Sequence, residues 1–296
     1  MTGPGETTSV PRRQTRPGLI ARESGGMTVA LRQVLFTALY GCARALERAA
    51  TLGFHAAAGA TRLADLRASI ELEWDRTGAS QWDDYVAFGL MTWERDFYLR
   101  FIGPGDRVLV AGCGTGRDLL ALLELGYRAE GVDVSPRCTA AAREWLHKRG
   151  WSVPVHTGAI ETFAVPGHFD AFILSWFCYS YIPGSAARIQ LLRKLRDHLN
   201  PGGRILATYA PASPLPRRLP IRLTQLVAWL SRSDWHPEYG DIIRVANPGR
   251  YFEHYEHRFT RDTLEEEARA AALAIAFHGQ GDVGRALLTP AETPPR

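Results

Sequence analysis

The sequence predicts a doubly wound α/β fold. We expect a mostly parallel, seven-stranded sheet with helices on both faces, an N-terminal helical extension and a lid insertion after the fifth strand. Short apolar strands alternate with helices from Arg107 to Tyr209, which is the pattern of right-handed parallel βαβ units. A glycine-rich turn follows the first strand, and an acidic residue, Asp133, ends the second.

The composition argues against several classes of function. The 296 residues carry a formal net charge of +4, and 46% of them are hydrophobic, which is ample for a core. No dense Lys/Arg run with interleaved aromatic residues occurs, so nucleic acid is not the expected partner. The four cysteines have no CxxC spacing, so we expect no metal site. So few cysteines in a chain of this length favour a reducing, cytoplasmic location. The sequence contains no run of about 18 apolar residues, so we expect no membrane-spanning helix.

The N-terminal third is predicted to lie outside the main domain. Residues 1–26 are rich in Gly, Pro, Thr and Arg, which is typical of a disordered tail. Residues 27–102 are predicted to be a helical extension, with apolar side chains at helical spacing in Thr28–Leu52. We expect that helix to pack on the main domain, and contact of residues 28–52 with a membrane surface is the alternative. A further helix is predicted over Trp82–Phe101.

Residues 103–290 are predicted to form the main domain. Its first five strands are expected at Arg107–Ala111, Ala129–Val132, Val153–His156, Ala171–Leu174 and Arg204–Tyr209. Helices are expected from the glycine turn to Leu125, over Ser135–Arg149 and over Ala186–Leu199.

Residues 210–259 are predicted to be an insertion that acts as a lid. It is rich in proline and holds an apolar helix near Ile221–Leu230, followed by an extended strand at Tyr251–Phe259. Thr260 is a suitable N-cap for a helix that reaches Ala272. The strands Leu273–Phe277 and Gly284–Leu288, joined by a turn, are expected to complete the sheet.

The glycine-rich turn reads Gly112-Cys113-Gly114-Thr115-Gly116 and opens a helix. Glycines allow the backbone to approach a ligand closely, and the free N–H groups of the helix favour a polar one. A carboxylate at Asp133 can accept hydrogen bonds from both hydroxyl groups of a ribose. The glycine spacing, GxGxG, differs from the GxGxxG of dinucleotide sites and argues against an NAD-linked oxidoreductase.

Four blocks in this order resemble the class I S-adenosylmethionine-dependent methyltransferases. They are the glycine turn, Asp133, the fourth strand Phe169–Ser175, and the turn Leu199-Asn200-Pro201-Gly202-Gly203 before the fifth strand. The resemblance covers about a third of the chain. It implies S-adenosyl-L-methionine as cofactor, with these cofactor-binding residues: Gly112, Cys113, Gly114, Thr115, Gly116, Asp133, Val134, Ala159, Ile160 and Ser175.

Two positions depart from the family pattern. Val110 and Ala159 stand where the family often has acidic residues, so a non-catalytic, regulatory S-adenosylmethionine-binding protein is an alternative to an enzyme.

The apolar and aromatic insertion favours a small organic methyl acceptor over a charged polymer. His254 and His257 are candidate catalytic residues because histidine titrates near neutral pH. On a strand they point to opposite faces, and His257 is preferred because it shares a face with Tyr251, Tyr255 and Phe259. Tyr181, after the fourth strand, is the third catalytic candidate, since the resemblance implies that this edge lies between cofactor and acceptor.

Overall fold

A computed structural model describes residues 26–77, 83–212, 218–244 and 254–291. Within these residues the strands are β1 (Arg107–Ala111), β2 (Arg128–Asp133), β3 (Val155–Thr157), β4 (Phe169–Leu174), β5 (Leu199–Tyr209), β6 (Asp241–Arg244), β7 (His254–His257), β8 (Leu273–Gly279) and β9 (Gly284–Pro290). The helices are α1 (Gly26–Gly59), α2 (Leu63–Thr77), α3 (Asp83–Phe88), α4 (Thr92–Phe101), α5 (Arg117–Glu124), α6 (Pro136–Lys148), α7 (Ser185–Asp197), α8 (Arg218–Ser231) and α9 (Arg261–Ala270).

The main sheet has seven strands in the order β3-β2-β1-β4-β5-β9-β8. The first five are parallel, whereas β9 runs antiparallel to both β5 and β8. From β1 the chain adds β2 and β3 on one side, and from β4 it adds β5 on the other. The sheet is therefore doubly wound, as the sequence predicts. In such sheets a ligand crevice forms at the carboxyl ends of the strands where the order reverses.

Apolar side chains fill both faces of this sheet. On one face, α7 and α9 contribute Leu192 and Leu264 to a cluster with Phe172 of β4. On the other face, α5 contributes Leu119 and α4 contributes Phe97 to a second cluster. The N-terminal helices α3 and α4 therefore supply part of the core that supports the first strands.

The helices before β1 differ from their prediction. Trp82–Phe101 was expected as one helix, but α3 and α4 are separate because the chain turns at Gly89, which has φ +72°. Helix α2 was not predicted. Residues 1–25, most of the predicted tail, lie outside the described residues, and Gly26 already belongs to α1.

The described residues fall into two compact units, one up to Ala49 and one from Ala50 onward. In the first unit the described side chains of α1 are exposed, including large apolar ones such as Leu31, Leu35 and Leu46. The expectation that residues 28–52 pack on the main domain stays a prediction. No helix within the described residues is long and apolar enough to cross a membrane.

The insertion contributes α8 and a separate two-stranded antiparallel sheet of β6 and β7. Strand β6 was not predicted. The predicted strand Tyr251–Phe259 corresponds to β7, and its first three residues lie outside the described ones. A third apolar cluster joins Trp235 and Tyr255 of the insertion to Leu66 and Ile70 of α2.

A buried arginine holds the insertion against the core. Arg188 of α7 donates to Glu267 of α9 at 2.6 Å, to Glu238 of the insertion at 2.7 Å and to the carbonyl oxygen of Ile182 at 3.0 Å. Tyr179 donates to the same Glu267 carboxylate at 2.5 Å. Because Arg188 is fully buried, these partners compensate for the loss of its hydration.

Candidate functional site

The turn between β1 and α5 requires glycine at its two ends. Gly112 has φ +74°, and a Cβ there would lie 2.8 Å from the Cβ of Cys178. Gly116 has φ +94°, and a Cβ there would lie 3.1 Å from the Cβ of Ala142. Around Gly114, by contrast, no described atom lies within 4 Å of an added Cβ. The turn is thus packed tightly at both ends and leaves open space in its middle.

Asp133 ends β2 and holds this turn in place. One carboxylate oxygen accepts a hydrogen bond from the backbone N–H of Gly114 at 2.8 Å, and the other accepts from the N–H of Ser135 at 2.9 Å. Burial raises the pKa of Asp133 above its ordinary value, and these two hydrogen bonds act in the opposite direction. The carboxylate therefore joins the glycine turn to the start of α6.

A cavity of about 300 Å³ opens beside Asp133. Eight predicted site residues line it: Gly112, Gly114, Asp133, Val134, Ala159, Ile160, Ser175 and Tyr181. Three predicted cofactor residues, Cys113, Thr115 and Gly116, and both candidate histidines do not line it. The topology thus brings residues from the ends of β1, β2, β3 and β4 to one cavity.

Helix α2 supplies a wall of the cavity that the sequence analysis did not find. Four residues of this helix line the cavity: Arg67, Ile70, Glu71 and Trp74. Asp75 fixes the helix because its carboxylate accepts from the Ser135 hydroxyl at 2.8 Å. The spacing of Leu66, Ile70 and Trp74 is helical, and this was the signal that could have identified the helix.

A buried polar network supports the opposite side of the glycine turn. Arg117 forms ion pairs with Glu94 of α4 and with Asp118. Asp118 also accepts a hydrogen bond from the hydroxyl of Ser175 at 2.5 Å, which connects the network to the cavity wall. Burial, followed by repulsion from Asp118, raises the pKa of Glu94 to about 7.

The network continues into aromatic residues. The Arg117 guanidinium lies 5.4 Å from the ring centre of Trp176, which stacks on Trp93 with ring centres 6.3 Å apart. Trp176 lines the cavity and has φ +49°, and Phe177 has φ +64°. Non-glycine residues in this left-handed region are uncommon and cluster at ligand sites.

Residues 108–203 match the family model of the methyltransferase domain. The chain is 26% identical over 196 residues to dTDP-3-amino-3,6-dideoxy-alpha-D-glucopyranose N,N-dimethyltransferase of Streptomyces fradiae, which covers 62% of this chain and 75% of that protein. It is 29% identical to a ubiquinone biosynthesis O-methyltransferase of Xanthomonas campestris, over 48% of this chain and 59% of that one. This chain therefore spans about three fifths of the ubiquinone relative.

The fold is similar to that of an S-adenosylmethionine-dependent methyltransferase from Bacteroides fragilis, solved with S-adenosyl-L-homocysteine. The TM-score is 0.52 and the identity 18%, over 77% of this chain and 95% of that one. The core domain is a class I S-adenosylmethionine-dependent methyltransferase. Its cofactor is S-adenosyl-L-methionine, and these comparisons give no support to an NAD-linked oxidoreductase.

The residues of this methyltransferase site fit that cofactor. The carboxylate of Asp133 faces the cavity and retains acceptor capacity beyond its two backbone hydrogen bonds. The Thr115 hydroxyl is buried and has no hydrogen-bond partner among the described residues. Gly114, next to Thr115 in the chain, leaves open space where a Cβ would stand, so the turn offers both polar atoms and room.

The structure does not bring His257 to the cavity of the methyltransferase. His257 is only 3% exposed, and its Nδ1 lies 2.7 Å from a carboxylate oxygen of Asp241, which also accepts from the Tyr255 hydroxyl. The side chains of Tyr255, His257 and Phe259 do share one face, but that face is buried in the protein. The expected aromatic wall is therefore part of a packed interior and does not line the cavity.

His254 lies closer to the cavity but is held by carboxylates. Its Nδ1 is 2.8 Å from Glu73, and its ring meets the ring of Tyr181 edge-on at 5.8 Å. Hydrogen bonds with Glu256 and Glu73 raise the pKa of His254 to about 9. At neutral pH this imidazole is therefore protonated and cannot accept a proton from a substrate.

Tyr181 lines the cavity of the methyltransferase. Its ring packs edge-on against Trp74 of α2, with ring centres 4.9 Å apart. Burial raises its pKa well above the ordinary value, so the phenol is neutral at physiological pH. A neutral phenol can donate or accept a hydrogen bond without carrying a charge.

Proposed function

We propose that this protein transfers the methyl group of S-adenosyl-L-methionine to a small organic acceptor in the cytoplasm. The observation that carries the proposal is the cavity of about 300 Å³, which is lined by Asp133 and by the aromatic side chains of Trp74, Trp176 and Tyr181. Such a volume and such a lining suit a small molecule. Two of the similar proteins are named for an amino sugar nucleotide and for ubiquinone biosynthesis, which supports a small acceptor. The small number of cysteines, four in 296 residues, supports a reducing compartment.

We assign the cofactor to the side of the cavity formed by the strand ends. In this proposal Asp133 accepts the ribose hydroxyls, and Gly112, Cys113, Gly114, Thr115 and Gly116 hold the methionine part. Val134, Ala159 and Ile160 contact the adenine. Ser175, whose hydroxyl donates to Asp118, lies where cofactor and acceptor meet.

We assign the acceptor to the side formed by α2 and Tyr181. S-adenosyl-L-methionine supplies a methyl group already activated by its sulfonium. The protein therefore has to orient the acceptor and exclude water, and proximity alone can account for a large share of the rate. Tyr181 would position the acceptor by a hydrogen bond, and the protonated His254 would position Tyr181. His257 would contribute only to the packing of the insertion.

The test uses S-adenosyl-L-methionine with a deuterated methyl group and a cell extract separated into small molecules, proteins and nucleic acids. Mass spectrometry should find the label in the small-molecule fraction with the wild type and not with Asp133→Ala. Label found only in protein or nucleic acid would overturn the proposed acceptor class, and no transfer to any fraction would favour the regulatory alternative.

The identified acceptor then tests the three catalytic candidates. Loss of one hydrogen bond in Tyr181→Phe should reduce turnover by about two- to tenfold. A general base contributes about 10²–10⁴-fold, so His254→Gln and His257→Gln should both fall by less than about tenfold. A loss of about a hundredfold or more in either histidine variant, with cofactor binding retained, would show that a histidine is the base after all.

A further inference from the structure

Helix α8 has a fixed orientation on the protein. Its buried residues are Ile221, Thr224 and Ala228, and the Thr224 hydroxyl lies 2.9 Å from Nδ1 of His55. Gly59 packs so closely that a Cβ there would lie 2.4 Å from the carbonyl oxygen of Thr224. A helix held this closely cannot rotate about its axis without breaking these contacts.

The outer face of α8 carries the larger apolar side chains. Leu219 is 67% exposed, Leu226 51%, Trp229 74% and Leu230 64%. Leu219, Leu226 and Leu230 are seven and four positions apart, which places them on one side of a helix. The inner face, by contrast, has a threonine and an alanine at its centre. The helix thus presents its more hydrophobic face to solvent, and contiguous exposed apolar patches mark interaction sites.

The charged residues from position 218 to position 233 are all positive. Arg218 and Arg222 lie on α8, Arg222 on the same side as Leu226 and Trp229, and Arg232 follows the helix. No Asp or Glu occurs between positions 218 and 233. Arginines beside leucine and an exposed tryptophan are typical of a helix that lies in the interface of an anionic bilayer. A second copy that met this face about a two-fold axis would bring the arginines of both copies together, so charge favours lipid over self-association.

We propose that the outer face of α8, formed by Leu219, Leu226, Trp229 and Leu230, binds the surface of an anionic lipid bilayer. The apolar side chains enter the boundary between headgroups and acyl chains, and the arginines contact the headgroup phosphates. The protein touches the membrane and does not span it. This inference depends on the geometry and charge of α8 and is independent of the acceptor.

The test is co-sedimentation with vesicles of phosphatidylcholine, alone or mixed with phosphatidylglycerol. The wild-type protein should bind the mixed vesicles, and binding should weaken as the salt concentration rises. The double variant Leu226→Ser, Trp229→Ser should bind at least about tenfold more weakly, and so should Arg218→Glu, Arg222→Glu. The matched control is Phe88→Ser, which removes an exposed aromatic side chain from α3 and should leave vesicle binding unchanged.

All the changed residues of α8 are exposed, so the variants should fold, and an unchanged affinity for S-adenosyl-L-methionine verifies this. Equal vesicle binding by the wild type and the folded α8 variants would overturn the proposal. Absence of wild-type binding to either kind of vesicle would also overturn it. Light scattering provides a third check. A dimeric wild type with a monomeric Leu226→Ser, Trp229→Ser variant would also overturn the proposal, because a second copy of the chain would then cover the face.

Discussion

Replacement of Asp133 by asparagine should impair the protein almost as much as replacement by alanine. Asparagine is usually the mild substitution for aspartate because it has the same shape. Here each carboxylate oxygen accepts a hydrogen bond from a different backbone N–H, of Gly114 and of Ser135. A carboxamide has only one oxygen, so its NH₂ group must face one of these donors, whichever way the side chain is turned.

The expected magnitudes follow from these contacts. A hydrogen bond to a charged group contributes about 1.5–3 kcal/mol, so Asp133→Ala should weaken cofactor binding by about that amount, which is roughly 10- to 150-fold. Asp133→Asn should lose a similar affinity. It should also lower the free energy of unfolding by about 1–3 kcal/mol, because a donor is left without an acceptor at the turn.

Calorimetric titration with S-adenosyl-L-homocysteine measures the affinity, and urea denaturation measures the stability. Glu130→Gln is the matched control, since Glu130 lies on the same strand and pairs with Arg107 outside the cavity. Its affinity should equal that of the wild type. If Asp133→Asn folds and binds as tightly as the wild type, Asp133 does not hold the cofactor and our placement of the ribose is wrong.

Two further predictions concern buried charges. Arg188→Met should lower the free energy of unfolding by about 3–5 kcal/mol, because it leaves the carboxylates of Glu267 and Glu238 without their cation. The control is Arg193→Met, at an exposed position, which should lower the free energy of unfolding by less than about 1 kcal/mol in urea denaturation. An equally small loss in Arg188→Met would show that the buried arginine is not needed to compensate the two carboxylates. Because the folded pKa of Glu94, about 7, lies above its ordinary value of 4.5, its contribution to stability is present at low pH and is lost as the pH rises through about 7. Relative to Glu94→Gln, the wild type should therefore lose up to about 3 kcal/mol of stability between about pH 5 and pH 8, and a pH-independent difference would disprove the shift.

The sequence predicted the central part of the fold well. Strand β1 has the predicted bounds, Thr260 caps α9 as expected, and the turn between β8 and β9 is present. These features depend on local patterns, such as apolar runs, glycines and a capping hydroxyl. Strand β6 was missed because four residues become a strand only by pairing with β7, and such pairing is not encoded locally.

The candidate site was predictable only in part. Gly112 and Asp133 were found because their positions after strands carry a recognisable chemistry. The faces of His254 and His257 were also predicted correctly, but periodicity cannot tell what a face packs against. The side chain of His257 contacts Asp241, which lies 16 positions earlier in the sequence. Such a contact has no local signal, so the sequence does not tell whether His257 faces a substrate or a carboxylate of the protein. The left-handed backbone of Trp176 likewise has no local signal.

The buried ion pair between Glu94 and Arg117 limits where this chain can recombine with related proteins. Glu94 lies before β1, outside the stretch of residues 108–203 that matches the methyltransferase domain, whereas Arg117 lies inside it. A recombination event with its junction between them would place the arginine against an unrelated residue in a dry interior. The two positions should therefore be inherited together, and chimaeras of this protein should be joined before α4.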